Sequence, residues 1–174
     1  MQENKIKKII DKIDLDRKIS EVASILNEKY RNDEIVVLGV MNGALFFMHD
    51  LIKKINIDRY EYDFLFCSSY YGGTKSTGKI KFIYPNKIDI SNKNVIVLED
   101  IVDTGNTLEF IYNELLKYNP KNIDFLSLLI RENCKTKLNL FWTGYKIKNE
   151  FVVGYGLDYK ERYRNLEDIY ELEI

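Results

Sequence analysis

The sequence predicts an α/β protein with a central parallel sheet flanked by helices. Three observations lead there. Short apolar runs without polar alternation, EIVVLGV (34–40), NVIVLED (94–100) and NIDFLSLLI (122–130), suit strands buried on both faces. Amphipathic helical patterns lie between them. Strands that alternate with helices build parallel sheets, because each parallel connection needs a long crossover.

In order along the chain, residues 3–13 read as a charged amphipathic helix. A second helix near 16–30 places Ile19, Val22, Ala23, Leu26 and Tyr30 on one face. After the strand 34–40, Asn42-Gly43 makes a turn. A helix then carries Leu45, Phe46, Met48, Leu51 and Ile52. YEYDFLFCSSY (60–70) alternates as a strand, and IKFIYP (80–85) is its returning partner. The segment between them, YGGTKSTGK (71–79), is polar and glycine-rich, with Gly72, Gly73 and Gly78 suited to a loop that moves. A helix is expected from Thr107 to Tyr118, after the strand 94–100. FVVGYGLDY (151–159) reads as the last core strand, and the tail to Ile174 as short and charged.

At 174 residues without repeats or a linker, the sequence predicts a single domain, 1–174. A hydrophobic share of 45% and a charged share of 30% place it among ordinary globular proteins. The net charge of −1 provides no drive toward nucleic acid or an anionic membrane. The N-terminus is charged and lacks the apolar core of a signal peptide. No apolar run approaches the roughly 20 residues of a membrane span. Cys67 and Cys134 lack metal-site spacing and read as reduced thiols of a cytoplasmic protein.

The chemistry concentrates in VIVLEDIVDTGNTL (95–108). A buried strand ends on Glu99 and Asp100, and Asp103-Thr104-Gly105-Asn106-Thr107 leads into a helix. Ligands of open α/β sheets bind beyond the carboxyl ends of strands. A helix N-terminus attracts phosphate through its open N–H groups and dipole. Gly105 permits close backbone approach, and Thr104 and Thr107 add hydroxyl donors. Two carboxylates beside such a cradle would repel a bare phosphate. They suit a ligand that also carries a vicinal diol, that is, a sugar phosphate, and a divalent cation can offset their charge. Alone, DTGNT is equally a capping turn with Asp103 as N-cap, and a strand-end carboxylate is often merely solvated. The whole assembly points to the sugar phosphate.

This stretch resembles the phosphoribosyl-pyrophosphate signature of the type I phosphoribosyltransferases: apolar strand, two acids, two apolar residues, Asp-Thr-Gly, one variable residue, Thr. Other segments narrow the resemblance to the hypoxanthine-guanine phosphoribosyltransferases. GVMNGALFFMHDL (39–51) is similar to their pyrophosphate loop and its helix, and SSYYGGTKSTGKIK (68–81) to their flexible loop. FLSLLIRENC (125–134) is similar to their purine-reading strand end, and FVVGYGLDYKERYRNL (151–166) to their purine and metal segment. The resemblance implies the type I fold with a small hood formed by the terminal segments. It also implies Mg²⁺-dependent transfer of the 5-phosphoribosyl group from phosphoribosyl pyrophosphate to hypoxanthine, and to guanine, in purine salvage. A homodimer or homotetramer is implied too.

Carried over residue by residue, the resemblance makes Asp103 the general base for the purine N7 proton. Glu99 and Asp100 would hold the ribose hydroxyls directly or through Mg²⁺, and Asp158 a second Mg²⁺. Asp103 to Thr107 would cradle the 5′-phosphate. Met41, Asn42 and Gly43, in a loop that often holds a cis non-proline peptide, would bind pyrophosphate with Arg164. Ser69 and Tyr70 open the flexible loop on the phosphoribosyl pyrophosphate side. Phe151 would stack on the purine, Val152 would offer its backbone to the base edge, and Asp158 also lies on the purine side. Asn42 and Asn106 stand where lysine is often found, and Arg131 where a lysine usually reads the purine 6-oxo group. His49 reads as a surface or half-buried residue rather than a catalyst, and Trp142 and Tyr145 as core packing as readily as flanks of the purine pocket.

Two other functions compete. One is a xanthine-preferring relative. The other is a regulator that senses the sugar phosphate and binds nucleic acid, against which stand the absence of excess basic charge and the retention of Asp103.

Overall fold

The computed structural model describes residues 5–69, 80–84 and 87–173. Its main sheet has six strands: β2 (Ile35–Met41), β3 (Tyr60–Ser69), β4 (Ile80–Ile83), β5 (Asn94–Val102), β6 (Asn122–Arg131) and β7 (Trp142–Ile147). They lie in the order β4-β3-β2-β5-β6-β7, all parallel except β4, which returns antiparallel to β3. Helices α1 (Lys12–Lys29), α2 (Leu45–Ile52) and α3 (Asn106–Leu116) supply the flanking layers.

The unbroken apolar runs follow from this burial. In β2, Ile35 and Val37 face the layer of α1 and α2, while Val36, Leu38 and Val40 face the layer of α3. In β5, Ile96 and Leu98 take the first face, Val95 and Val97 the second. Both faces must be apolar, so neither strand alternates.

The connectivity also places the site. From β2 the chain moves one way to β3, then crosses back to lay β5 on the other side of β2. The last paired residues of these two strands are Gly39 and Leu98. Beyond them the strand ends diverge and leave a crevice at the point where the strand order reverses, which is where open α/β sheets bind ligands.

A second, three-stranded sheet joins the termini in the order β1-β9-β8, with β1 at Ile6–Ile10, β8 at Val152–Val153 and β9 at Ile169–Leu172. This corrects the reading of 3–13 as a helix: IKKII pairs antiparallel with β9, and the helix starts only at Lys12, capped by the Asp11 carboxylate on the Ile13 N–H at 2.8 Å. Pairing with a strand some 160 residues away overrides the local helical pattern. The segment 151–159 is corrected as well. Only Val152 and Val153 are strand, and they join the small sheet. Positive φ values at Gly154 (95°), Tyr155 (50°) and Gly156 (98°) then curl the chain into a loop. Strands β7 and β9 were not anticipated. Trp142 packs at the core against Phe47, their rings 6.0 Å apart, so it is a structural residue. No helix is long and apolar enough to cross a membrane among the described residues.

Candidate active site

At the crevice, a pocket of about 290 Å³ is lined by the ends of β2 and β5, the turn into α3, and two residues of the C-terminal loop, Asp158 and Arg164. Strand β5 runs two residues past the acidic pair, to Val102, so Glu99 and Asp100 are still strand residues and are held rigidly. Glu99 is 8% exposed. Burial first, and the neighbouring Asp100 charge second, push the Glu99 carboxyl well above the usual carboxylate range. Burial likewise raises Asp100, partly offset by its hydrogen bonds to Glu99 and to the Ile101 N–H at 2.7 Å. Neither carboxylate has a salt-bridge partner among the described residues.

Beyond β5 the chain turns through Asp103-Thr104-Gly105. The N-cap of α3 is Gly105 at φ 87°, not Asp103, and no side chain caps the helix. The nearest substitute is a long contact of 3.4 Å from the Asn106 N–H to the Thr104 hydroxyl. The open N–H groups of the first turn therefore face the pocket, where Thr104, Gly105 and Thr107 line the wall. Gly105 is required twice over, by its left-handed conformation and because a Cβ there would lie 2.3 Å from the Thr136 Cβ.

Opposite stands the loop 41–43, where the Met41–Asn42 peptide is cis. It presses on the acidic pair: a Cβ on Gly43 would sit 1.7 Å from the Asp100 Oδ2. Gly43→Ala should therefore push the loop off Asp100 and weaken phosphoribosyl pyrophosphate binding about tenfold, the usual scale of overpacking. Equilibrium titration reads this, and unchanged affinity would detach the loop from the ligand.

Arg164 reaches the pocket from the C-terminal loop. Its Nη1 donates to the Gly156 carbonyl at 2.7 Å, and its Nη2 pairs with Asp158 at 2.7 Å and Glu161 at 3.1 Å. Phe151 and Val152, which the resemblance places against the purine, lie to one side. Phe151 is 38% exposed, its ring 5.5 Å from that of Tyr159, and Val152 is buried. Arg131 ends β6 and joins the halves. Its Nη1 donates to the Lys148 and Glu150 carbonyls, both at 2.7 Å, just before Phe151, and its Nε lies 3.7 Å from the Asp103 carboxylate. The Asp103 side chain is 75% exposed, open to an incoming ligand.

The structure thus gathers Met41, Asn42, Gly43, Glu99, Asp100, Asp103, Thr104, Gly105, Thr107, Asp158 and Arg164 around one pocket. Arg131, Phe151 and Val152 are outside its lining. Asn106 opens α3 but does not line the pocket. Ser69 ends β3, its side chain outside the described residues, as are Tyr70 and the loop 71–79. Cys67 on β3 lines the pocket and was read only as an ordinary thiol. Burial, then the Glu99 charge, push it up to about 11, so it stays a neutral wall. Its place at the inward parity of β3, two residues beyond buried Leu65, was a legible signal. His49 is exposed and rests on Asp50.

The comparisons agree with this geometry. Residues 7–160 match the family model described as the phosphoribosyl transferase domain. The chain is 38% identical over 164 residues to a hypoxanthine phosphoribosyltransferase of Buchnera aphidicola, covering 92% of each. It is 38% identical over 172 residues to a hypoxanthine-guanine phosphoribosyltransferase of Lactococcus lactis, covering 95% of this chain and 93% of the other. The crystal structure of a hypoxanthine-guanine phosphoribosyltransferase from Bacillus anthracis superposes with a TM-score of 0.89 at 38% identity, covering 98% of this chain and all of that one. Sequence signature, strand-switch pocket and relatives together place the chain in the phosphoribosyl transferase family, as a member of its hypoxanthine-guanine phosphoribosyltransferases.

Proposed function

We propose that this enzyme binds phosphoribosyl pyrophosphate across the strand-switch pocket and joins its ribose to a 6-oxopurine held at the Phe151–Val152 side, releasing pyrophosphate. The observation that carries this is the Glu99–Asp100 pair, Glu99 buried and Asp100 half-buried, beside the N-terminus of α3 that no side chain caps, a site for a diol and a phosphate at once. The 5′-phosphate lies on the Asp103–Thr107 turn. The ribose hydroxyls meet the acidic pair, and pyrophosphate spans the 41–43 loop and Arg164.

Mg²⁺ fits these residues. The described residues hold no group of three or more ligating side chains and so build no cage by themselves. They offer two carboxylates without a salt-bridge partner among the described residues, and Asp158 in the same lining. Mg²⁺ is commonly held in this way, by one or two carboxylates with the remaining ligands from substrate oxygens and water. When bound it supplies neutralisation of the pyrophosphate leaving group. Asp103 accepts the proton of the attacking base, and its exposure beside Arg131 leaves room for that base. The exposed Tyr60, Tyr62 and Phe66 on β3 and Ile83 on β4 support a homodimer or homotetramer, and the free thiols of Cys67 and Cys134 support a cytoplasmic setting.

Base choice follows from Arg131. A 6-oxopurine presents an acceptor where adenine presents a donor amine. Among the described residues Nη2 of Arg131 makes no hydrogen bond, while Nη1 fixes the plane of the guanidinium. Adenine would leave that donor unpaired, a mismatch that discriminates strongly. Assays with hypoxanthine, guanine, xanthine and adenine in turn should give IMP and GMP and essentially no AMP. Arg131→Met should lower hypoxanthine efficiency about tenfold or more, the worth of one charge-assisted hydrogen bond, and leave adenine unmoved. Equal loss for both bases would mean that Arg131 only braces the 148–150 backbone. Unchanged hypoxanthine efficiency would pass the role to another donor such as Lys135 or Lys137.

A further inference from the structure

The pyrophosphate half of the site is built from two pieces far apart in sequence, the loop 41–43 and Arg164. Each is rigid by itself. The loop runs directly into α2, with the Ala44 N–H on the Val40 carbonyl at 3.1 Å and the Met48 N–H on the Ala44 carbonyl at 2.8 Å. Arg164 is locked to its own loop by the Gly156 carbonyl and Asp158, and the Gly156 N–H returns a bond to the Arg164 carbonyl at 3.0 Å.

The two pieces meet at Tyr155 and Gly156. Gly156 lies so close to the first piece that a Cβ there would be 2.1 Å from the Gly43 carbonyl oxygen. Tyr155, 5% exposed, donates its hydroxyl to the Asp50 Oδ2 on α2 at 2.6 Å, and its ring packs 5.9 Å from that of Phe46. Asp50 Oδ1 receives His49 at 2.9 Å, so both carboxylate oxygens are engaged. Burial, then the Asp50 carboxylate, push the Tyr155 hydroxyl upward, which keeps it a donor. Tyr155 adopts φ 50°, a left-handed conformation that an aromatic residue keeps only when its surroundings hold it there. Beside the bond lies a cavity of about 590 Å³ bordered by Leu45, His49, Asp50, Lys53 and Tyr155, so packing on that side of α2 is thin.

We propose that Tyr155 and Asp50 are a positioning pair, which fixes the span between the 41–43 loop and Arg164 and so sets affinity for the pyrophosphate group. The proposal rests on the assignment of these two pieces to pyrophosphate. Neither residue touches the substrate; both act through the pieces they join.

The test is steady-state kinetics of Tyr155→Phe, Asp50→Leu, their combination, Asp50→Asn and Gly43→Ala. Tyr155→Phe keeps the ring and removes only the hydroxyl, with its bond to Asp50 and a longer one of 3.3 Å to the Phe46 carbonyl. It and Asp50→Leu should each raise the KM for phosphoribosyl pyrophosphate about tenfold and leave the hypoxanthine KM within about twofold. The combination should be no worse than either alone, because one bond is being removed twice. Asp50→Asn retains an acceptor oxygen and should restore the KM. If Gly43→Ala raises this KM and Tyr155→Phe does not, the positioning pair is refuted and the loop assignment stands. If neither raises it, the loop assignment falls and the proposal with it. Lower kcat with both KM values unchanged would mean only that fewer molecules are folded, a structural role that also overturns the proposal.

Discussion

Asp103→Asn is expected to cut turnover by about 10²–10⁴ while leaving phosphoribosyl pyrophosphate bound. The change keeps size and most hydrogen bonding and removes the base. Asp103 suits that role by position. It lies between the phosphate turn and Arg131, its Nε 3.7 Å away, with a carboxylate that is three-quarters exposed. Turnover and equilibrium affinity measured on one preparation separate chemistry from binding. Near-normal turnover would remove Asp103 from proton transfer and turn attention to solvent.

The combined Glu99→Gln and Asp100→Asn variant should weaken phosphoribosyl pyrophosphate binding about 10²-fold or more, at about 1.5–3 kcal/mol for each charge-assisted bond lost. Purine binding should be spared, and Mg²⁺ should cease to enhance affinity. The reason lies in burial. Burial raises both carboxyls, and the Asp100 charge raises Glu99 further, so the native pair is poised to gain from a cation. Amides of the same shape relieve the repulsion, so the variant should fold normally while losing its ligand. Titrations of each substrate with and without Mg²⁺ measure this. Loss of purine binding with phosphoribosyl pyrophosphate unaffected would reverse the assignment of the two halves.

Much of this site could be read from the sequence because it is contiguous. Strand, acidic pair, turn and helix from Val95 to Thr107 form one local unit whose chemistry needs no distant partner, and the structure alters it only in detail. Helix α3 begins one residue early, and Gly105 rather than Asp103 stands at the N-cap. Strands β2 and β6 were equally legible, since burial on both faces writes itself as unbroken apolar sequence. The failures share a cause. IKKII has the charges of a surface helix and becomes a strand only because IYEL of β9 lies beside it. WTGYKI of β7 is an edge strand, half-buried and interrupted by Gly144, so it carries no clear period. The bonds of Arg131 to the Lys148 and Glu150 carbonyls, and of Tyr155 to Asp50, depend on tertiary approach that no local pattern encodes.

The same distinction explains why the two halves of the site differ in legibility. The strand-switch pocket rests on backbone geometry, and glycines mark it: Gly43 against Asp100, Gly105 against Thr136. The region of Arg131 and Phe151 rests on side chains delivered from β6 and from the loop before β8, and its shape depends on how Arg131 is held.

The most direct measurement is to incubate the protein with phosphoribosyl pyrophosphate, Mg²⁺ and hypoxanthine, and quantify nucleotide and pyrophosphate together. The predicted result is IMP and pyrophosphate in equal amounts, formed only when all three are present. Binding of phosphoribosyl pyrophosphate without any nucleotide product, from hypoxanthine or from guanine or xanthine in its place, would contradict it and mark the pocket as a sensor.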